Sequence, residues 1–194
     1  MEKTIIIGYG TGRCGTKSLA TFLSMQPQPA CHVTHEGLPM SWYPAVANMR
    51  DTMTMLESYP GHFVGDVGFY WINHLDYLFE KYPEAKVINI YRDDDETINS
   101  FCSRVRLKKL NGKNYNRGGW YDYPFDSDSD TDQDIVRTIY RYRYLEKIVA
   151  MKYPGKIFCL RLDLFNNMAH MARLLEWIGF ERPYHLEPCH EHRT

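Results

Sequence analysis

Hydrophobic residues along this chain fall into short aliphatic runs that alternate with longer amphipathic stretches. Residues 4–7 form such a run, ended by Gly8, and are typical of a strand buried on both faces. Further strands are predicted at 32–34, 62–65, 87–91 and 156–160, and helices at 16–25, 44–59, 71–82, 135–152 and 167–178. This alternation predicts an α/β fold with three αβα layers around a central parallel sheet. We find neither a repeat nor a linker, so residues 1–194 are predicted to form a single domain.

Composition narrows the classes of function. The net charge of −1 gives the chain no overall basic surface, which argues against a nucleic-acid partner. No run approaches the roughly 18 apolar residues of a membrane span, and the N-terminal segment lacks the apolar core of a signal peptide. The 5 cysteines are scattered without a C-x-x-C pair, as expected of reduced thiols in the cytoplasm. We therefore expect a cytoplasmic protein whose anion binding, if any, is local.

The segment between the first strand and the first helix is rich in glycine, hydroxyl and basic side chains. It reads Gly8-Tyr9-Gly10-Thr11-Gly12-Arg13-Cys14-Gly15-Thr16-Lys17-Ser18. Glycines let the backbone turn tightly and aim several N–H groups at one anion, while the following helix adds its positive N-terminal end. Arg13 and Lys17 supply charge, and the hydroxyls of Thr16 and Ser18 can donate to phosphate oxygens. Residues 12–18 are therefore predicted to bind a nucleotide phosphate.

This loop is not the strict phosphate loop of kinases and other nucleotide triphosphatases. That motif is G-x-x-x-x-G-K-[ST], and here Gly10 and Gly15 have its spacing. Thr16, however, occupies the lysine position, and lysine comes one residue late at Lys17. One residue turns a helical side chain by about 100°, so the shift changes where the charge points. The loop predicts phosphate binding without the ATP-specific pattern.

A second candidate anion site follows the strand at 87–91. Arg92 ends this strand, and Ser100 follows eight residues later, about two turns into the next predicted helix. Asp93 and Glu96 resemble the capping box that begins such a helix. An arginine at the carboxyl end of a parallel strand faces the ligand crevice of an open α/β sheet. The alternative is that Arg92 pairs with its acidic neighbours, residues 93–95, and that Ser100 is an ordinary helix residue.

Together these two segments resemble the sulfotransferases that use 3′-phosphoadenosine 5′-phosphosulfate (PAPS). In that family a [KR]-x-G-[ST] loop, matched here by residues 13–16, binds the 5′-phosphosulfate. An arginine and a serine eight residues apart, matched by Arg92 and Ser100, bind the 3′-phosphate. The resemblance implies a P-loop-like sulfotransferase architecture and PAPS as co-substrate. It also implies transfer to a hydroxyl or amine of a small-molecule or glycan acceptor, with release of adenosine 3′,5′-bisphosphate.

Sulfuryl transfer needs positive charge on the departing phosphate and a base for the acceptor's proton. Arg13 is predicted to supply the charge, and because arginine keeps its proton at neutral pH its role is electrostatic. Glu36 and His35 are the candidate bases, with Glu36 favoured by the resemblance, because some members use a glutamate in this region. Asp66 is a weaker third candidate. The alternative for Glu36 and His35 is a solvated or capping pair.

No metal is expected, because the donor is already activated and the alternating aspartates at 126–134 lack the glycine and glutamate of a calcium loop. The aromatic residues of the long polar segment at 111–132, among them Trp120, are candidates for lining an acceptor pocket. The alternating tyrosines and arginines at 140–144 point in several directions on a helix and do not indicate nucleic acid. Two other classes stay open: an ATP-dependent kinase with an irregular loop, and a catalytically silent nucleotide-binding module.

Overall fold

The computed structural model describes residues 3–27, 30–40, 46–110 and 132–187. Its strands are β1 (Thr4–Tyr9), β2 (Cys31–His35), β3 (Phe63–Val67), β4 (Lys86–Tyr91) and β5 (Ile157–Arg161). Its helices are α1 (Thr16–Ser24), α2 (Val46–Ser58), α3 (Leu75–Lys81), α4 (Asp94–Leu110), α5 (Asp132–Lys152) and α6 (Met168–Ile178). Short 3₁₀ helices span Phe69–Asn73 and Leu162–Leu164.

The five strands form one parallel sheet in the order β2-β3-β1-β4-β5. The central strand β1 pairs with β3 on one side and with β4 on the other. Because all strands run the same way, the loops that follow them meet at one edge of the sheet, where ligands bind in open α/β folds. The glycine-rich loop after β1 therefore lies between the residues that follow β2 and β3 and those that follow β4.

Helices cover both faces of the sheet, which confirms the predicted three-layer α/β architecture. On one face, Ile5, Ile7 and Val87 pack with buried residues of α2, α3, α4 and α5. On the other face, Ile6 and Ile88 pack with buried residues of α1 and α6. The alternation of neighbouring residues between two cores explains why the strands read as continuous apolar runs rather than as an alternating pattern.

The prediction of one helix over 71–82 is wrong. The chain forms a 3₁₀ helix over Phe69–Asn73, and α3 begins only at Leu75. Between them His74 has φ −113° and ψ 4°, outside the helical region. The hydroxyl of Tyr70 and the indole of Trp71 both donate to the buried carboxylate of Asp66, which fixes this tight turn against β3. A specific tertiary contact overrides the helical periodicity.

The other elements agree with the prediction to within a few residues. β3 extends two residues beyond the predicted end and includes Asp66, and α5 begins three residues earlier than predicted. The aromatic candidates of the 111–132 segment, including Trp120, lie outside the described residues. In the part of the chain that the structure describes, no helix is long and apolar enough to cross a membrane.

Candidate active site

The glycine-rich loop passes so close to β4 that two of its positions require glycine. A Cβ atom on Gly10 would lie 2.1 Å from the carbonyl oxygen of Ile90. Gly15 has φ +95°, and a Cβ atom there would meet Leu162 at 2.5 Å. Both substitutions would displace the loop, because neither a backbone carbonyl nor the left-handed conformation accommodates a side chain easily. The predicted loop is thus held against β4, the strand that Arg92 follows.

The N-terminus of α1 is arranged to receive an anion. Gly15 is its N-cap residue and makes no side-chain cap hydrogen bond, and the backbone N–H groups of the first helical turn point out of the helix end. Thr16 and Ser18 are buried at the start of the helix, while Lys17 between them is half-buried. The loop therefore combines backbone donors, hydroxyls and one ammonium group at the place where the sequence predicted a phosphate.

Cys14 has a structural role within the loop. Its side chain is fully buried, and the thiol donates to the carbonyl oxygen of Thr11 at 2.5 Å. Burial raises the pKa of the Cys14 thiol to about 12, so it stays protonated and unreactive at neutral pH. Its contribution to ligand binding is limited to shaping the loop and to its backbone.

Arg13 joins the loop to the second predicted anion site. Its Nε atom donates to the hydroxyl oxygen of Ser100 on α4 at 3.1 Å. A cavity of about 480 Å³ is lined by these two residues and by Arg92, together with Glu96, Asn99, Ser103 and Arg104. Three arginines in one cavity favour a ligand group that carries more than one negative charge. The two segments that the resemblance assigns to two phosphates of one nucleotide thus meet in space.

Arg92 is held by an acidic residue, as one sequence interpretation anticipated, although by a different one. Its Nε atom lies 2.6 Å from Oε2 of Glu96, and not against residues 93–95. Asp93 instead accepts a hydrogen bond from the backbone N–H of Glu96 at 3.1 Å, which is half of the predicted capping box. The Arg92 side chain is 32% exposed, so a ligand can reach it.

A larger cavity of about 790 Å³ adjoins the first and shares Arg92 and Glu96 with it. It lies over the carboxyl ends of β4 and β5 and is lined by Tyr91, Leu162 and several charged residues, including Arg143 and Glu146 of α5. This volume is within the range of sites for small-molecule ligands. The two cavities are therefore neighbouring candidate binding regions on either side of Arg92 and Glu96.

On the other side of β1, Glu36 occupies a constrained turn after β2. Its backbone has φ 50°, in the left-handed region, and its N–H donates to the carbonyl oxygen of Val67 at 3.0 Å. Burial of the Glu36 side chain, with a smaller contribution from the neighbouring Asp66, raises the pKa of this carboxyl from 4.5 to about 7. A carboxyl with this pKa can take up a proton near neutral pH.

Asp66 has a structural role in the turn after β2. Its side chain is fully buried and accepts hydrogen bonds from four donors. These are the hydroxyls of Thr34 and Tyr70, the indole of Trp71 and the backbone N–H of Gly37, at 2.6 to 3.0 Å. Because Thr34 and Gly37 flank residues 35–36, Asp66 fixes the turn that carries Glu36. The weaker third candidate of the sequence analysis thereby takes a supporting role.

His35 contacts the phosphate loop directly. Its Nε2 atom lies 3.1 Å from the hydroxyl oxygen of Thr16, the first residue of α1. The contact places the end of β2 beside the N-terminus of that helix, where the sequence predicts an anion. His35 and Glu36, which sequence spacing could not distinguish, therefore have different surroundings: His35 is engaged with the loop, and Glu36 is held in the adjoining turn.

Among the described residues, two non-glycine residues have a positive φ, and they are Arg13 (68°) and Glu36 (50°). Side chains rarely adopt this region, and strained backbone persists where the surroundings enforce it, often at functional sites. The sequence had singled out both residues for their chemistry. It gave no sign of their backbone conformation, nor of the His35–Thr16 contact, because both depend on how separate strands are placed.

No group of three or more histidine, cysteine, aspartate or glutamate side chains in the described ranges is placed to hold a metal ion.

Comparisons with known proteins agree with this geometry. A family model described as a sulfotransferase domain matches residues 5–148, which include both predicted anion-binding segments. The sulfotransferase of Alicyclobacillus acidocaldarius has a TM-score of 0.66 and 12% identity, over 100% of this chain and 87% of that one. Sulfotransferase STF1 of Mycobacterium tuberculosis H37Rv has a TM-score of 0.56 and 13% identity, over 93% of this chain and 68% of that one.

No match was found among curated proteins. At these identities the solved structures show the fold, whereas the family model covers most of the sequence. The chain therefore belongs to the sulfotransferase domain family.

Proposed function

We propose that this protein transfers a sulfuryl group from PAPS to a hydroxyl or amine of a small-molecule or glycan acceptor, releasing adenosine 3′,5′-bisphosphate. The observation that carries the proposal is the contact between Arg13 and Ser100, with Arg92 in the same cavity. This contact joins the glycine-rich loop to a second cluster of anion-binding groups. Two anion sites side by side suit a nucleotide with phosphates at both its 5′ and 3′ positions. ATP has no 3′-phosphate and would leave the second site unfilled.

In this proposal the donor lies across the sheet edge. Residues 12–18 bind the 5′-phosphosulfate, with Lys17 and the hydroxyls of Thr16 and Ser18 as ligands. Arg92 and Ser100 bind the 3′-phosphate, for which Glu96 must give up its ion pair with Arg92. The nucleoside occupies the adjoining cavity of about 790 Å³. No metal is needed, because arginine, lysine and backbone N–H groups supply the positive charge.

The transfer step needs one base and one electrostatic contact. Glu36 takes the proton of the acceptor hydroxyl or amine as its oxygen or nitrogen forms a bond to sulfur. The bond between sulfur and the bridging phosphate oxygen breaks, and the electron pair stays on the departing phosphate. Arg13 stabilises that negative charge without giving up a proton. His35 contributes by holding Thr16, which makes Glu36 the better-supported base.

Calorimetric titration tests the donor assignment. We expect the protein to bind adenosine 3′,5′-bisphosphate at least about tenfold more tightly than adenosine 5′-monophosphate, since one extra charge-assisted contact contributes about 1.5–3 kcal/mol. Mg-ATP titrated in parallel addresses the kinase alternative. Tight binding of Mg-ATP with no binding of the bisphosphate would overturn the proposal.

A turnover assay separates an active enzyme from a silent binding module. PAPS labelled with ³⁵S and a panel of hydroxyl and amine acceptors would show whether label moves to an acceptor. If the protein binds the bisphosphate but neither transfers label to any acceptor nor hydrolyses PAPS to sulfate, the silent module is favoured.

The four described cysteines, Cys14, Cys31, Cys102 and Cys159, are free thiols, which supports a reducing compartment, the cytoplasm. We assign the activity to a single domain over residues 1–194.

A further inference from the structure

Arg143 on α5 makes a set of contacts that the proposed reaction does not use. Its Nη2 atom donates to the backbone carbonyl oxygen of Arg92 at 2.6 Å. Its Nε atom donates to Oδ1 of Asp94 at 2.6 Å, and its Nη1 atom contacts both carboxylate oxygens of Glu146 at 2.8 and 3.1 Å. One guanidinium thus ties α5 to the junction between β4 and α4.

These contacts are sheltered from water. The side chain of Arg143 is 13% exposed and that of Glu146 is 9% exposed. Burial by itself lowers the pKa of Arg143, but the carboxylates of Glu146 and Asp94 more than offset this, and the net pKa lies above its ordinary value. The guanidinium therefore keeps its charge, and such desolvated, charge-assisted bonds hold their geometry more firmly than exposed ones.

The junction that Arg143 holds carries both members of the second anion site. Arg92 is the residue whose carbonyl oxygen Arg143 contacts, and α4 begins at Asp94, the residue that receives the Nε bond. Ser100 lies on that same helix, about one and a half turns further on. A shift of the junction would therefore move the Arg92 side chain and the Ser100 hydroxyl relative to Arg13.

We propose that Arg143 is a positioning residue that sets the affinity for the 3′-phosphate by fixing the carbonyl of Arg92 and the start of α4. This inference rests on the proposed function. Arg143 lines the larger cavity, yet a direct role in binding an anion is disfavoured, because Asp94 and Glu146 neutralise its charge. Its effect on the ligand passes through Arg92 and Ser100.

The test compares two nucleotides that differ only in the 3′-phosphate. Affinities for adenosine 3′,5′-bisphosphate and adenosine 5′-monophosphate are measured by calorimetry for the wild type, Arg143→Lys and Arg143→Met. Lysine keeps a positive charge but is a single compact ammonium and cannot serve three separate partners. We expect the ratio of the two affinities to fall by about tenfold or more, as for one misaligned charge-assisted hydrogen bond, with monophosphate binding within about twofold. Arg141→Lys, at an exposed position of the same helix, is the matched control.

A second variant, Glu146→Gln, is expected to change the preference for the 3′-phosphate in the direction opposite to that expected from charge alone. Glu146→Gln removes a negative charge near the site, which on charge alone would strengthen anion binding. If Glu146 acts by anchoring Arg143, the preference for the 3′-phosphate falls instead, by less than in Arg143→Lys. This variant keeps the shape of the side chain and carries the test should Arg143→Met fail to fold.

The outcomes separate the inference from the function on which it rests. A wild type without preference for the bisphosphate contradicts the proposed function, and this is seen before any variant is made. A wild type with the preference, and Arg143→Lys with the same preference, overturns the positioning role. Equal loss for both nucleotides also overturns it, because that pattern reports general destabilisation or a contact elsewhere on the ligand.

Discussion

The two sides of β1 present groups of opposite charge in opposite surroundings. Beyond β2 and β3, the half-buried Glu36 lies close to Asp66, which is fully buried and heavily hydrogen-bonded. Beyond β4, the half-buried Arg92 and its exposed partner Glu96, at 32% and 60% side-chain exposure, lie beside open cavities. Burial is what shifts a carboxyl to a pKa useful for proton transfer, whereas a phosphate can be bound by accessible cations at their ordinary charge. The acidic side therefore suits chemistry, and the cationic side suits binding.

The largest effect is expected from removing the carboxylate of Glu36. In Glu36→Gln we expect kcat to fall by about 10²–10⁴-fold with the donor affinity unchanged, because a general base contributes about that much. The wild-type rate should rise with pH through about 7, since the base must be deprotonated, and Glu36→Gln should lose this rise. The measurement is the pH dependence of sulfuryl transfer. Glu80→Gln, at an exposed position of α3, is the matched control. A rise with pH retained in Glu36→Gln would assign the base to another residue.

Substitution of Arg13, which lies between the two sides, tests whether one residue contributes both to donor binding and to the transfer step. Arg13→Ala removes the charge proposed to meet the leaving phosphate as well as the contact to Ser100, so kcat should fall by about 10²–10³-fold. Donor affinity should weaken at the same time, unlike in Glu36→Gln. Steady-state kinetics with varied PAPS would separate the two effects. A change confined to the affinity would restrict Arg13 to binding.

Substitution of Arg92 tests the recognition of the 3′-phosphate on the cationic side, apart from the transfer step. Arg92→Ala should reduce the preference for adenosine 3′,5′-bisphosphate over the monophosphate by about 10–100-fold, because hydrogen bonds to charged groups contribute about 1.5–3 kcal/mol. With saturating donor, kcat should change much less than in Arg13→Ala. The titration of both nucleotides checks this. An undiminished preference would remove Arg92 from the 3′-phosphate site.

The free energy of unfolding should depend on pH through the carboxyl of Glu36. The folded-state pKa of Glu36 lies above its ordinary value of 4.5, so its contribution to stability is fully present below pH 4.5 and is lost as the pH rises through about 7. Glu36→Gln cannot ionise, so relative to the wild type it should gain about 1–3 kcal/mol between pH 4.5 and 8. Urea unfolding across this range measures the difference. A constant difference at all pH values would contradict the raised pKa.

The smallest effect is expected at Glu96. Its exposed ion pair with Arg92 competes with an incoming phosphate, and such pairs contribute at most about 1 kcal/mol. Glu96→Gln should therefore bind the bisphosphate about two- to fivefold more tightly. Weaker binding would show instead that Glu96 orients Arg92 for the ligand. Calorimetry at low ionic strength gives the clearest reading, since salt screens the exposed pair.

The parts of this site that depend on one strand and the helix after it could be predicted from sequence. The glycine-rich loop after β1, and the positions of Arg92 after β4 and Ser100 on α4, are of this kind. Contacts between separate units could not be predicted. The donors to Asp66 come from β2, the turn after it and the 3₁₀ helix after β3, and the bond from Arg143 to Arg92 joins residues 51 positions apart. The tyrosine–arginine alternation around Arg143 gave no signal, because a helix divides such a run between buried and exposed faces.

The strand order also has a consequence for how such a protein can change. On the proposed function, the base belongs to the segment from β2 to β3 and the donor site to the segment from β4 to β5, with β1 between them. The two segments are separate in the chain, and the glycine-rich loop after β1 lies between them. An exchange of residues 36–71, which keeps the His35–Thr16 contact, is expected to alter the reactivity towards acceptors while the nucleotide site stays intact. Diversification of acceptors around a constant donor is thus built into the position of a single central strand.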